Sequence, residues 1–310
     1  LHMNDPKLIL DLIEAFRRSK TMFAAVELGI FDGRRPNGAA LDRLLEACVS
    51  LGLLEKRGDE SVNTPIADEY LKSSSPRTLS GYIRYSNQAL YPMWAQLEAA
   101  VMEGTHRWGH AGGLFDHFFK TESARRDFLM GMHGFGMLSS PKVADAFDLS
   151  RFKRLVDLGG ATGHLAKAAK DRWPSLEVAV FDLAGVVEYA REFGVEAIAG
   201  DFFTDDLPDA DLYALGRILH DWGPERLPEL LRKVSRKLPD DGALLIAEKL
   251  LDEDRSGPVA VHMQSLNMLV CTEGRERTLS EYAALLREAG FTRVEGKRTG
   301  VPLDAILAVK

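Results

Sequence analysis

With 310 residues, 45% of them hydrophobic and 27% charged, the chain has material for two packed cores. A net charge of -7 opposes a nucleic-acid surface, and no apolar run reaches the length of a membrane span. Two cysteines, Cys48 and Cys271, provide neither a disulfide framework nor a metal-ligand spacing, so a reducing cytoplasm is the expected setting.

Leu1-His2-Met3 reads as a cloning remnant ahead of a natural start. Residues 5–31 read as helix, with Leu8, Ile9, Leu12, Ile13 and Phe16 on one apolar stripe. Leu41, Leu44, Leu45 and Cys48 recur at helical spacing, and LGLLEKRGDESVNT then predicts a hairpin turning at Gly58-Asp59. Helices followed by a hairpin make a winged-helix pattern. DNA binding would be its obvious use, but residues 1–80 carry 11 Lys/Arg against 12 Asp/Glu, and only Arg43 is basic on the helix over 41–50. That is a poor phosphate-binding surface, so the module is expected to be scaffold that pairs two subunits. The links DGRRPNGAA and GTHRWGHAGG are short for their positions, as though residues were missing around 31–41 and 104–113.

Residues 80–150 read as mostly helical, with many large soft side chains, among them Tyr85, Trp94, Trp108, Phe115, Phe118 and Phe135. Such a set can line a pocket for a flat ligand, although any one member is more often core. The domain boundary is expected near residue 150, giving a helical domain over 4–150 and a second domain over 151–310.

The second domain opens on RLVDLGGATGHLAKAAK (154–170), a short strand, a glycine-rich turn and a helix. Gly159, Gly160 and Gly163 let the backbone approach a ligand, and the helix beginning near Gly163 aims its N-terminus at an anionic group. Alanine at 161 breaks the dinucleotide spacing G-x-G-x-x-G, and the phosphate-loop pattern is absent as well. What remains, D-x-G-x-A-x-G beginning at Asp157, resembles the first motif of class I S-adenosylmethionine (AdoMet) methyltransferases. EVAVF (177–181) reads as the next strand and ends at Asp182, where a carboxylate can accept both hydroxyls of a ribose.

Alternation continues to the last residue. Helix is expected over 184–193, strand at EAIAGDFF, strand at DADLYALGR, helix at PERLPELLRKVSRKL and strand at GALLIAEKLL. SLNMLV and TLSEYAALLREAG read as helices, the latter with a capping box from Thr278 to Glu281 and a stop at Gly290. FTRVEGKRT and LDAILAVK close the chain as an antiparallel edge hairpin. This is a doubly wound α/β domain whose ligand groups belong at the carboxyl ends of its strands.

Chemistry-bearing residues gather at those ends. Asp201 and Phe202 follow Gly200, suited to an adenine amine and ring. Arg217 ends one strand, with His220, Asp221 and Trp222 just beyond, Glu248 ends the next, and Glu276 precedes the capped helix. Histidine can take up a proton near neutral pH, and a carboxylate on its other nitrogen fixes the tautomer.

Taken together, DLGGATG (157–163), VFDL (180–183), GDFF (200–203), GRILHDW (216–222), SLNMLV (265–270) and TEGRERT (272–278) resemble the small-molecule O-methyltransferase family. That family includes acetylserotonin, plant caffeate and isoflavone, and bacterial polyketide-tailoring O-methyltransferases, and the likeness spans nearly the whole chain. The resemblance implies a Rossmann-like class I methyltransferase sheet, mostly parallel with an antiparallel edge hairpin, plus an N-terminal winged-helix domain that makes homodimers. It implies AdoMet as methyl donor, S-adenosyl-L-homocysteine as product, and no metal. His220 matches the family's base, Glu248 and Glu276 its orienting acids, and Asp221 the residue after the base. Asp157, Gly159, Gly160, Gly163, Asp182, Leu183, Gly200, Asp201, Phe202 and Arg217 match the cofactor-binding positions. Asn267, Met268, Cys271 and Met263 fall at substrate-lining positions. Cys271 stands where the acetylserotonin enzymes usually carry a longer polar residue, which argues against acetylserotonin itself.

The implied chemistry is attack of an oxygen on the sulfonium methyl. A phenol, with a pKa of about 10, is a weak nucleophile until a base removes its proton. Methylation of nitrogen or carbon, another reaction on AdoMet, and an AdoMet-responsive winged-helix regulator are the alternatives.

Overall fold

The computed structural model describes residues 5–107 and 121–310. Trp108, Phe115, Phe118 and most of the second short link therefore lie outside the described residues, as do residues 1–4. The described chain divides into two compact units, residues 5–92 with 123–134, and residues 93–107, 121–122 and 135–310.

In the first unit, α1 (Lys7–Glu27) leads through a short 3-10 turn to α2 (Leu41–Ser50). The hairpin follows as β1 (Leu54–Arg57) and β2 (Glu60–Asn63), with Arg57 opposite Glu60 and Gly58-Asp59 as the two-residue loop. Then come α3 (Pro65–Tyr70) and α4 (Ser80–Tyr85). Ala25, Val26, Phe31, Cys48, Leu54 and Ile83 build the core, so α1 is anchored only by its C-terminal half. Its N-terminal stripe, Leu8 to Phe16, is exposed on the single chain.

Among the described residues α5 (Tyr91–Trp94), α6 (Leu97–Glu103), α7 (Glu122–Met137) and α8 (Ser140–Asp145) follow. The division between units does not fall at residue 150. Val143, Ala144 and Phe147 belong to the core of the sheet unit, and α6 packs on a later helix of that unit. These segments bury their apolar faces within the sheet unit, and that burial assigns them to it.

The sheet unit contains β3 (Arg154–Leu158), α9 (His164–Arg172), β4 (Glu177–Asp182), α10 (Val187–Glu192), β5 (Glu196–Ala199) and β6 (Leu212–Gly216). It continues with α11 (Arg226–Lys237), β7 (Ala243–Glu248), β8 (Leu250–Leu251), α12 (Val259–Cys271) and β9 (Arg277–Thr278). Last come α13 (Leu279–Glu288), β10 (Arg293–Lys297) and β11 (Asp304–Val309). Helix α10 begins three residues later than expected because Leu183–Val186 form a turn, Val186 N–H donating to the Leu183 carbonyl at 2.8 Å.

Seven strands form one sheet in the order β10-β11-β7-β6-β3-β4-β5. Strands β3 to β7 pair parallel among themselves, whereas β11 runs antiparallel to both β7 and β10. Apolar clusters cover both faces, which is why β7 reads as a continuous buried run rather than an alternating one. The parallel arrangement brings Asp182, Gly216 and Glu248 to one end of the sheet. The capping box at Thr278 is formed from both sides, Glu281 N–H to Thr278 Oγ1 and Thr278 N–H to Glu281 Oε2. No helix among the described residues is long and apolar enough to cross a membrane.

Candidate active site

The turn after β3 is tight. Gly163, at φ +77°, forms the N-cap of α9, and a β-carbon there would meet the Val195 side chain at 3.0 Å. Gly159 (φ +70°) lies against Ile218 and Phe202, and Gly160 against the Asp157 carboxylate. Ala161, the residue that breaks the dinucleotide spacing, is itself left-handed at φ +51°. Its N–H donates to Asp182 Oδ2 at 2.9 Å, and Leu183 N–H donates to Oδ1 at 2.7 Å. That carboxylate thus ties the end of β4 to the glycine turn.

Burial raises the pKa of Asp182 to about 6 against the pull of those two N–H groups. Asp157, wholly buried, is raised to about 8 by burial and then by the Asp182 charge. Beyond β5, Gly200 backs onto the Phe181 ring, and Asp201 Oδ1 accepts from Phe203 N–H at 2.8 Å, closing the turn that presents Phe202. These features suit a nucleoside: a close-approaching backbone, a carboxylate at the second strand end and an aromatic ring at the third.

Past β6 the chain bends sharply. Arg217 is left-handed at φ +57°, and its N–H donates to the Ala247 carbonyl at 2.9 Å. A 3-10 turn over Leu219–Asp221 places His220 inside the protein. His220 Nδ1–H donates to Glu276 Oε1 at 2.7 Å, and Glu248 Oε2 lies 3.3 Å from the same nitrogen. The two acids divide their work. Glu248 Oε1 accepts the N–H groups of Leu219 and His220 at 2.9 and 3.3 Å, holding the backbone, while Glu276 holds the ring. Nε2 is left toward Asp221, 3.6 Å from its Oδ1.

All three acids resist ionising because they are desolvated: Glu276 is raised to about 8, Glu248 to about 7 and Asp221 to about 6. Arg217, Lys249 and Arg277 pull Glu276 back down. His220, Glu248 and Glu276 also offer ligand atoms within 4.8 Å of one another, close enough for a metal ion. One oxygen of each acid is engaged, Glu276 Oε1 with the ring and Glu248 Oε1 with backbone N–H groups, an arrangement that fits ring orientation, while the second oxygens of both are buried without a hydrogen bond.

Two residues that the sequence reading passed over hold this arrangement. Arg277, buried, donates to the carbonyls of Leu219, Arg275 and Trp222 at 3.3, 3.0 and 3.5 Å, clamping the GRERT loop to the histidine turn. Gly274 lies so close that a β-carbon would sit 1.9 Å from the His220 carbonyl oxygen. Both stood within the GRERT motif, read there only for its acid. On α12, Asn267 Oδ1 accepts from Trp94 Nε1 at 2.8 Å, leaving its amide N–H groups to offer. Cys271 is buried beside Asn267, with burial pushing its thiol up to about 12. Met268 is buried, and Met263 is exposed. Among the other aromatics, Phe135 lies under Arg217, whereas Tyr85 packs edge-on against Phe128 within the first unit.

Residues 94–292 match the O-methyltransferase domain family. The chain belongs to the O-methyltransferase family. It is 41% identical to the bovine (Bos taurus) acetylserotonin O-methyltransferase, over 98% of this chain and 97% of that protein. A human (Homo sapiens) bifunctional dTTP/UTP pyrophosphatase/methyltransferase protein is 40% identical over 98% of this chain, which spans 54% of that longer protein. The crystal structure of human N-acetylserotonin methyltransferase with AdoMet superposes with a TM-score of 0.93 at 36% identity, covering 100% of this chain and 99% of that one. The AdoMet-dependent class and the Rossmann-like fold thus agree with the glycine turn and strand ends described above.

Proposed function

We propose that this AdoMet-dependent O-methyltransferase acts on a phenolic hydroxyl of a small aromatic molecule, with His220 as general base. The observation that carries the reading is the 2.7 Å bond from His220 Nδ1–H to Glu276, which fixes the tautomer and leaves Nε2 to accept a proton. When Nε2 takes that proton, the imidazolium sits beside the buried carboxyl groups of Glu248 and Asp221, whose ionisation its positive charge favours. Bound AdoMet supplies an electrophilic methyl on a sulfonium sulfur. Asp182, the Gly159–Gly163 turn, Asp201 and Phe202 would hold its nucleoside, and Arg217 would face the reacting end. Asn267, Met268, Cys271 and Met263 line the acceptor's side from α12. Alignment of oxygen with methyl and sulfur adds to the proton removal.

The exposed stripe on α1 pairs two copies of the chain into a homodimer. Buried thiols at Cys48 and Cys271 and the acidic balance suit a reducing cytoplasm without a nucleic-acid partner.

The test is His220→Ala. Single-turnover rate on a phenolic acceptor should fall by about 10²–10⁴-fold while AdoMet affinity holds, and acceptors that are already ionised should recover part of the loss. A stable, AdoMet-binding variant with near-normal turnover would remove His220 from the mechanism.

A further inference from the structure

Lys249 follows Glu248 at the carboxyl end of β7 and is half-buried between two buried residues, Glu248 and Leu250. Its ammonium lies 5.3 Å from the centre of the Phe135 ring, and the Arg217 guanidinium lies 4.7 Å from the same centre. Two cations thus meet on one aromatic ring at the ends of neighbouring strands. Among the described residues the Lys249 ammonium has no hydrogen bond and no ion pair, and it lies over the Phe135 ring. Burial, and then the Arg217 charge, hold its pKa below the usual lysine value, with Glu276 and Glu248 acting in the opposite sense.

Each of those acids has one oxygen committed, Glu276 Oε1 to His220 Nδ1 and Glu248 Oε1 to two backbone N–H groups, and the second oxygen of each forms no hydrogen bond to the ammonium. A desolvated ammonium beside a second cation is costly, and an anion arriving in the site removes that cost. The ring adds a flat apolar surface against which an aromatic ligand can lie.

We propose that Lys249, with Arg217 beside it, binds an anionic group of the methyl acceptor, a carboxylate in the simplest case, and thereby selects hydroxy-aromatic acids over their neutral analogues. This rests on the methyl-transfer reading in taking the acceptor to lie at the ends of β6 and β7. The α-carboxylate of AdoMet is the other source of the same chemistry, and the experiment separates the two.

Calorimetric titration of protein saturated with S-adenosyl-L-homocysteine compares 2-, 3- and 4-hydroxybenzoate with the matching hydroxybenzamides. At least one acid should bind about tenfold or more tightly than its amide, the scale of a hydrogen bond to a charged group. Lys249→Met should bring that pair within about twofold, and Lys249→Arg should keep most of the preference. Absence of any acid preference in the unaltered protein overturns the proposal, as does equal weakening of acid and amide in Lys249→Met. A loss confined to AdoMet affinity assigns the ammonium to the donor instead and likewise overturns it. The titration reads binding rather than turnover, so its outcome is independent of the role of His220.

Discussion

Along α1, Leu8, Leu12 and Phe16 keep 68%, 65% and 52% of their surface in contact with solvent, whereas beyond β6 and β7 His220, Glu248 and Glu276 keep 2%, 0% and 1%. The first region leaves apolar groups outside and the second puts ionisable groups inside. Each arrangement costs free energy in the isolated chain, and neither is explained by packing within its own unit. For α1 the cost is relieved by covering the stripe, a surface-area effect without direction. For the histidine cluster it is relieved only by a proton or a charge placed at a particular atom. The two regions should therefore respond to different perturbations.

After loss of His220 itself, the largest effect is expected where the cluster leaves no space. Gly274→Ala puts a methyl group 1.9 Å from the His220 carbonyl oxygen, so the loop or the histidine turn must move. A displacement of about 1 Å at a catalytic group can cost on the order of 10²-fold in rate. Turnover should fall by that amount in a variant whose AdoMet affinity, measured by calorimetry, stays close to normal.

On α1, Leu12→Asp with Phe16→Asp should convert a homodimer into a monomer at micromolar concentration. Light scattering of both proteins reads this directly. A monomeric unaltered protein would leave the stripe without the partner proposed for it.

Proton linkage distinguishes the regions further. Glu276 and Glu248, at about 8 and 7 when folded, bind protons that the unfolded chain has released above about pH 4.5. The folded state then holds more protons, so these groups make stability fall as pH rises from about 5 to 8. Glu276→Gln removes one such group, and its melting temperature should decline less steeply over that range. The Leu12/Phe16 variant, compared with another monomer, should keep the original slope.

The smallest effect tests ordinary local chemistry as a reference. Thr278→Ala removes the capping box of α13 and should cost about 1 kcal/mol, seen as a small drop in melting temperature without change in the pH slope.

What the sequence made legible follows the range of the interaction. The Gly58-Asp59 hairpin, the capping box three residues apart, the strand–turn–helix at 154–170 and the closing hairpin all rest on neighbours in the chain, and each stands where the local pattern put it. The strand ends were legible too, because a parallel sheet brings them to one side. The division of work between Glu248 and Glu276 was not, since it depends on an angle between segments 28 residues or more apart. Nor was the clamp at Arg277, which reaches carbonyls 55 and 58 residues away. The division between the compact units differs from the boundary expected near residue 150 for the same reason. Helical spacing says which face of α8 is apolar, and not which core will receive it.

At one margin of the large sheet, β10 turns Arg293, Glu295 and Lys297 outward in alternation with partly covered Val294 and Gly296. If two copies met there as antiparallel strands in the register that uses the whole length, Glu295 would face Glu295 and Arg293 would face Lys297. Every outward pair would be a like-charge pair, which disfavours the contact. A charged margin of this kind blunts the open row of backbone groups that would otherwise recruit further strands. A twofold contact through the helix stripe alone stops at two chains, whereas a second twofold contact at the strand margins would link such pairs into an open array. The charges on β10 thus bear on whether self-assembly of this protein is finite.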